Sequence, residues 1–196
     1  ISMANKALED GDNRSFALAG LAQAHLSAEE PERAQELIAQ ACEGFEEGES
    51  DPKAGYTVFQ VIEGDVAMAN ERYHDALELA ERTIGVLGEI GQRVALPDML
   101  RLKGEALTFL DRFDEAQAAL DQALAEAETQ ESRRAICHIL PALSALAGRR
   151  GDEETARELR SRAWGAVKDI ADRAGSEEMK SMFLDLPKIR HLKTLL

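Results

Sequence analysis

The chain has 196 residues and a mass of 21.5 kDa, enough for one sizeable core or one elongated repeat array. Acidic residues outnumber basic ones 37 to 23, for a net charge of −14, whereas a nucleic-acid binder usually shows a basic stripe; a partner of basic character is expected rather than nucleic acid. Aromatics are only 5% and Ala, Leu, Glu and Arg dominate, which favours helix and leaves too little Val, Ile and Thr for a large sheet.

In chain order, Ala4, Ala7 and Leu8 make residues 1–12 read as the remnant of a preceding helix, stopped by Gly11 and Asp12. Phe16, Leu18, Leu21, Ala22 and Leu26 predict a helix over 14–27. Pro31 opens the next, to about 47, with Ala34, Leu37, Ile38, Ala41 and Phe45 inward. Residues 48–53 form a Gly/Pro-rich loop. Helices three and four are expected over about 54–70 and 73–90, the latter closed by Gly91. The fifth opens at Pro97-Asp98 and reaches about Leu110, and the sixth spans about 113–129. The seventh, about 131–148, contains Pro141, which predicts a kink near Leu140 or a split into two shorter helices. Gly151-Asp152 caps the eighth, about 152–174, which Gly175-Ser176 ends. An amphipathic segment follows from 177, interrupted at Pro187.

The helices repeat. Ala34, Ala76, Ala116 and Ala156 stand early in alternate helices, at spacings of 42, 40 and 40. Twelve residues before them lie Ala22, Gly64, Gly104 and Ser144, and seven after them Ala41, Thr83, Ala123 and Ala163. Two helices approach closely only where side chains are small, and a large residue at such a crossing would overpack it by about 1–3 kcal/mol. A hairpin exposes an apolar face that the next hairpin covers, and stacking of this kind produces a solenoid.

The segment Arg112-Phe113-Asp114-Glu115-Ala116, and Arg72-Tyr73-His74-Asp75-Ala76 with it, resembles the start of the second helix of a tetratricopeptide repeat. Pro31 to Ala34 and Asp152 to Ala156 are weaker versions. The period of 40 to 42 departs from the usual value of about 34, the bulky aromatic early in the first helix is replaced by Leu18, Gln60, Leu100 and Leu140, and the closing proline is absent. The pattern therefore looks like the long-helix variant. A HEAT-type array shares a period of about 40 and would suit Pro141; the small-residue pairs and the Phe-Asp-Glu-Ala start favour the tetratricopeptide reading. The expectation is an all-α superhelical solenoid of about four antiparallel hairpins, over 13–50, 51–92, 93–130 and 131–174, with a C-terminal capping segment over 175–196. The end of the chain, Met182 to Arg190, is similar to the segment that closes many bacterial multidomain regulators, in which a repeat array follows a catalytic or switch domain.

Catalytic and metal motifs do not emerge. His25, His74, His138 and His191 fall in no zinc spacing, and no glycine loop carries the Lys-Ser/Thr that cradles phosphate. Cys42 and Cys137 are expected as buried free thiols of a reducing compartment. No apolar run reaches the roughly 18 residues that span a bilayer, and the N-terminus lacks a signal-peptide core, so a cytoplasmic, non-enzymatic protein without cofactor is expected.

The resemblance implies that a partner binds the concave face lined by the first helices. Positions one after or three before the small crossing residue should face it: Gln23 and Ala19, Asp65 and Val61, Glu105 and Arg101, Ala145 and Pro141, bordered by Phe109 and His138. This groove mixes apolar, acidic and basic groups and lacks the Lys/Arg cluster that clamps a peptide C-terminus. The expected function is a protein-interaction scaffold for a peptide or partner domain, within a larger regulatory protein; the alternative is a sensor or self-association module controlling an attached catalytic or DNA-binding domain. The tail residues Phe183, Leu184, Leu186, Ile189, Leu192, Leu195 and Leu196 would either cap the array or pair with a second copy.

Overall fold

The structure, a computed structural model, describes residues 14–48 and 56–196. The expected remnant helix over 1–12 and most of the 48–53 loop lie outside the described residues. Among these the chain is all-α, with ten helices and no strand. They are α1 (Arg14–Ser27), α2 (Pro31–Gly48), α3 (Tyr56–Ala69), α4 (Tyr73–Ile90), α5 (Leu96–Phe109), α6 (Phe113–Thr129), α7 (Arg133–Arg149), α8 (Glu153–Ala171), α9 (Glu177–Leu184) and α10 (Pro187–Thr194). The chain divides into two compact units, Ile1–Thr83 and Ile84–Leu196, with the division inside α4.

The breaks between helices repeat as regularly as the helices. Glu29, Glu71, Asp111 and Gly151 all take left-handed backbone angles, with φ of 62°, 59°, 58° and 82°. They stand at spacings of 42, 40 and 40, each five residues before one of the four alanines that set the repeat. The amide after each donates to the carbonyl five residues back, as in Arg112 N to Leu107 O and Asp152 N to Ala147 O, both 2.9 Å. This closes the last turn of one helix and reverses the chain into the next. Gly91 and Glu131 do the same after α4 and α6.

Packing explains the small residues. All twelve are buried, and Ala22, Ala34, Ala76, Ala116 and Ala156 are fully so. In the first unit α1 packs on α2, and α3 lies against both. Its core is Leu18, Leu21, Ile38, Phe59 and Val66, with Cys42 at the edge. In the second unit α5 packs on α6, α7 on α8, and α7 also touches α5 and α6. Residues twelve apart meet at the crossings. Gly104 lies over the Ala116 carbonyl, and the Ser144 hydroxyl donates to the Ala156 carbonyl at 2.9 Å.

A second set of bonds ties residues 36 to 39 positions apart. Asn70 Nδ2 donates to the Pro31 carbonyl at 3.4 Å and Arg72 pairs with Gln35 in the first unit. In the second, Gln130 reaches the Arg93 carbonyl at 2.8 Å, Arg149 reaches Asp111 at 2.9 Å and Arg150 reaches Asp114 at 2.7 Å.

Three expectations need correction. Of the two outcomes expected at Pro141, a kink or a split, the split does not occur: α7 is one helix, with Ile139, Leu140, Ala142 and Leu143 all buried on either side of the proline. α8 ends at Ala171, before the expected 174, and Ser176 starts α9 instead of merely ending α8: its hydroxyl accepts from the Met179 amide at 3.2 Å. The two cysteines are half-buried, not buried, and neither is in a disulfide. At the C-terminus α9 and α10 pack on α8. Leu192 is buried there, and the Lys193 ammonium sits 5.9 Å from the centre of the Trp164 ring. Among the described residues no helix is long and apolar enough to cross a membrane.

Candidate functional site

α5 and α7 are the first helices of successive pairs, and they lie side by side. Between them runs an open cleft of about 150 Å³, lined by Glu105, Thr108, Phe109, Pro141, Ala142 and Ala145. Its shape follows from three local features. Ala142 and Ala145 are too short to fill the space beside α5. Pro141 turns a half-exposed ring toward it and offers no amide proton to solvent. Thr108 spends its hydroxyl within its own helix, donating to the Gly104 carbonyl at 2.7 Å.

Phe109 is 42% exposed at the C-terminal end of α5. The Arg149 guanidinium lies 5.1 Å from its ring centre and also reaches Asp111, which holds the aromatic in one orientation at the cleft mouth. Toward the other end of α5, Arg101 pairs with Glu105 across one helical turn. Asp98, one turn earlier, is 4% exposed and receives two hydrogen bonds from Arg134 of α7, at 3.1 and 2.6 Å. That fork raises the Arg134 pKa, chiefly through the hydrogen bond to Asp98.

The predicted groove residues are distributed unevenly. Glu105, Phe109, Pro141 and Ala145 come together in the cleft. Arg101 does not line it: at 6% exposure it is a buried group, because α7 covers the side of α5 on which it stands. His138 is exposed on α7 but outside the lining. In the first unit Gln23 is exposed, Val61 and Asp65 are half-buried, and Ala19 is 2% exposed, a core residue and not a groove residue. That unit has its own polar cleft between α3 and α4, lined by Glu63, Ala67, Arg72, Asp75, Glu78, Leu79 and Arg82. Helical spacing gives a side chain's direction but not how far a neighbouring helix extends over it, and Arg101 and Ala19 are both buried. The Asp98–Arg134 fork carried no sequence signal beyond two opposite charges 36 positions apart.

Burial pushes the Cys137 thiol up to about 11, opposed by nearby Arg134. Its Sγ donates to the Arg134 carbonyl at 3.0 Å. At pH 8 roughly one such thiol in a thousand is ionised. Alkylation of Cys137 by iodoacetamide at pH 8 should therefore run on the order of 100-fold slower than that of a free cysteine, and should accelerate steadily up to the pH of that raised titration. A rate equal to the free amino acid's at pH 8 would show the thiol to be open. Among the described residues no group of three or more His, Cys, Asp or Glu side chains could hold a metal ion. No protein-family model matches the chain, and no curated protein matches it significantly.

Proposed function

We propose that this chain is a non-catalytic protein-interaction scaffold: an array of antiparallel helical hairpins of the long-helix tetratricopeptide type that receives a peptide or partner segment on the face made by its first helices. The observation that carries this reading is the α5–α7 cleft, where an oriented aromatic, a proline and two alanines border one half-buried carboxylate, Glu105. Such a surface offers one or two anchor positions amid neutral contacts, the usual distribution of binding energy in a protein interface. The repeated left-handed turns, the small-residue crossings and the bonds 36 to 39 positions apart support the stacked-hairpin reading. A place within a larger regulatory protein is part of the same proposal and rests on the likeness of the closing segment to those of multidomain regulators.

The test uses peptides selected from a random displayed library on the intact chain. Ala145→Arg fills the cleft with a charged side chain, and Phe109→Ala removes its mouth. Each should weaken the selected peptides by about 1–2 kcal/mol, roughly five- to thirtyfold in affinity, whereas Glu128→Ala on exposed α6 should leave them unchanged. Peptides that bind both cleft variants as tightly as the parent chain would remove the cleft from the proposal. Arg101→Glu is unsuitable here, since it would bury a second carboxylate beside Glu105 and act on folding.

A further inference from the structure

We propose that the C-terminal segment joins two copies of this chain, with α9 of one copy lying antiparallel against α9 of the other. This is independent of the α5–α7 cleft. The inner side of the segment is already used: Leu192 is buried on α8 and Ile189 is half-buried. The outer side is not. Met179, Met182 and Leu186 are 59%, 66% and 40% exposed. Their spacing of three and four residues puts them in one stripe along α9 and its C-terminal turn. Of the nine large apolar residues exposed among those described, five fall between Met179 and Leu196. Methionines on an exposed stripe adapt their shape to an opposing surface.

Charge decides the occupant. Glu177, Glu178 and Asp185 make the first half of the segment acidic, with only Lys180 against them, and Lys180 already pairs with Asp172 at 2.7 Å. Lys188, Arg190 and Lys193 make the second half basic. Antiparallel pairing of α9 about a two-fold axis brings the acidic start of each α9 to the partner's α9–α10 junction, where the basic residues begin, twice over, while the apolar stripes meet in the middle. A wholly acidic partner or an anionic lipid surface would satisfy one half and be repelled by the other, and by the net charge of −14. α9 is eight residues long, about 12 Å, so the buried area is at the low end for a specific interface and the dimer is a weak one that depends on concentration.

Sedimentation equilibrium on the full chain, from about 5 to about 500 µM, should show the mass rising from 21.5 kDa toward twice that value. Met182→Glu should hold it at the single-chain mass with unchanged ellipticity; Met179→Gln serves if the first variant loses helicity. Glu177→Lys with Glu178→Lys should weaken association at least about tenfold, and adding Lys188→Glu with Arg190→Glu should restore it to within about threefold. A single-chain mass throughout would overturn the proposal. So would association that ignores the stripe variants, a charge reversal that is not rescued, or a chain that binds phosphatidylserine vesicles without pairing.

Discussion

Replacing Gly104 with valine should lower the stability of the second unit by about 3 kcal/mol. A Cβ at this position would stand 2.5 Å from Leu120 Cγ, 2.7 Å from its Cδ2 and 3.2 Å from the Ala116 carbonyl oxygen. Leu120 is fully buried, so it can move only by displacing its neighbours, and the carbonyl belongs to the α6 backbone. The two helices must therefore separate or Leu120 must leave its well, and either loses contacts along the whole crossing. Gly104→Ala should cost less, about 1 kcal/mol, because alanine's better helix propensity offsets part of the clash. Leu120→Ala alone should cost about 2–5 kcal/mol by leaving a cavity. Combined with Gly104→Val it should cost at least 1 kcal/mol less than the sum, since the new methyls occupy the vacated space. Urea denaturation of the four proteins closes the cycle. Strict additivity, or a Gly104→Val midpoint equal to that of the parent, would mean that the crossing is not a tight contact.

Asp98→Ala should cost about 3 kcal/mol. The carboxylate is 4% exposed in the first turn of α5, where the helix dipole favours a negative charge. Arg134 binds both its oxygens from α7, 36 positions away, and buried Arg101 stands one turn along α5. Removing the carboxylate takes the partner from Arg134 and one nearby negative charge from the buried Arg101. Arg134→Ala should cost about 2 kcal/mol, since it strands the buried carboxylate while Arg134 itself is largely exposed. Because Asp98 is buried although Arg134 is not, 1 M salt should screen this pair only in part. The exposed pair Arg150–Asp114 has the same spacing in sequence but should contribute little, and less still at high salt. Equal effects at both pairs would mean that burial is not what distinguishes them.

The two substitutions fall on features of different legibility. Gly104 was readable as a crossing residue because its partners in the register, Ala22, Gly64 and Ser144, recur at a fixed distance from four alanines. The same pattern located Ala116, which the structure places against it. Asp98 carried no such mark. It was one of 37 acidic residues, and its partner lies 36 positions away on another helix. The left-handed turns were half legible: Gly91 and Gly151 declared themselves, whereas Glu29, Glu71, Asp111 and Glu131 adopt the same conformation without the residue type that announces it.

Among the described residues, the sequence by itself determined that the chain is helical, where most helices begin and end to within a few residues, and that the small side chains in register are buried. Those properties depend on neighbours within three or four positions, on caps and breakers, and on a repeat that exposes its register. Only the tertiary structure decided which of two equally oriented polar residues is covered and which faces solvent. Arg101 and Glu105 share one face of α5, yet α7 buries the first and leaves the second on the cleft. The physical reason is that burial is set by the distance and extent of a second helix, a quantity no spacing within the first one contains.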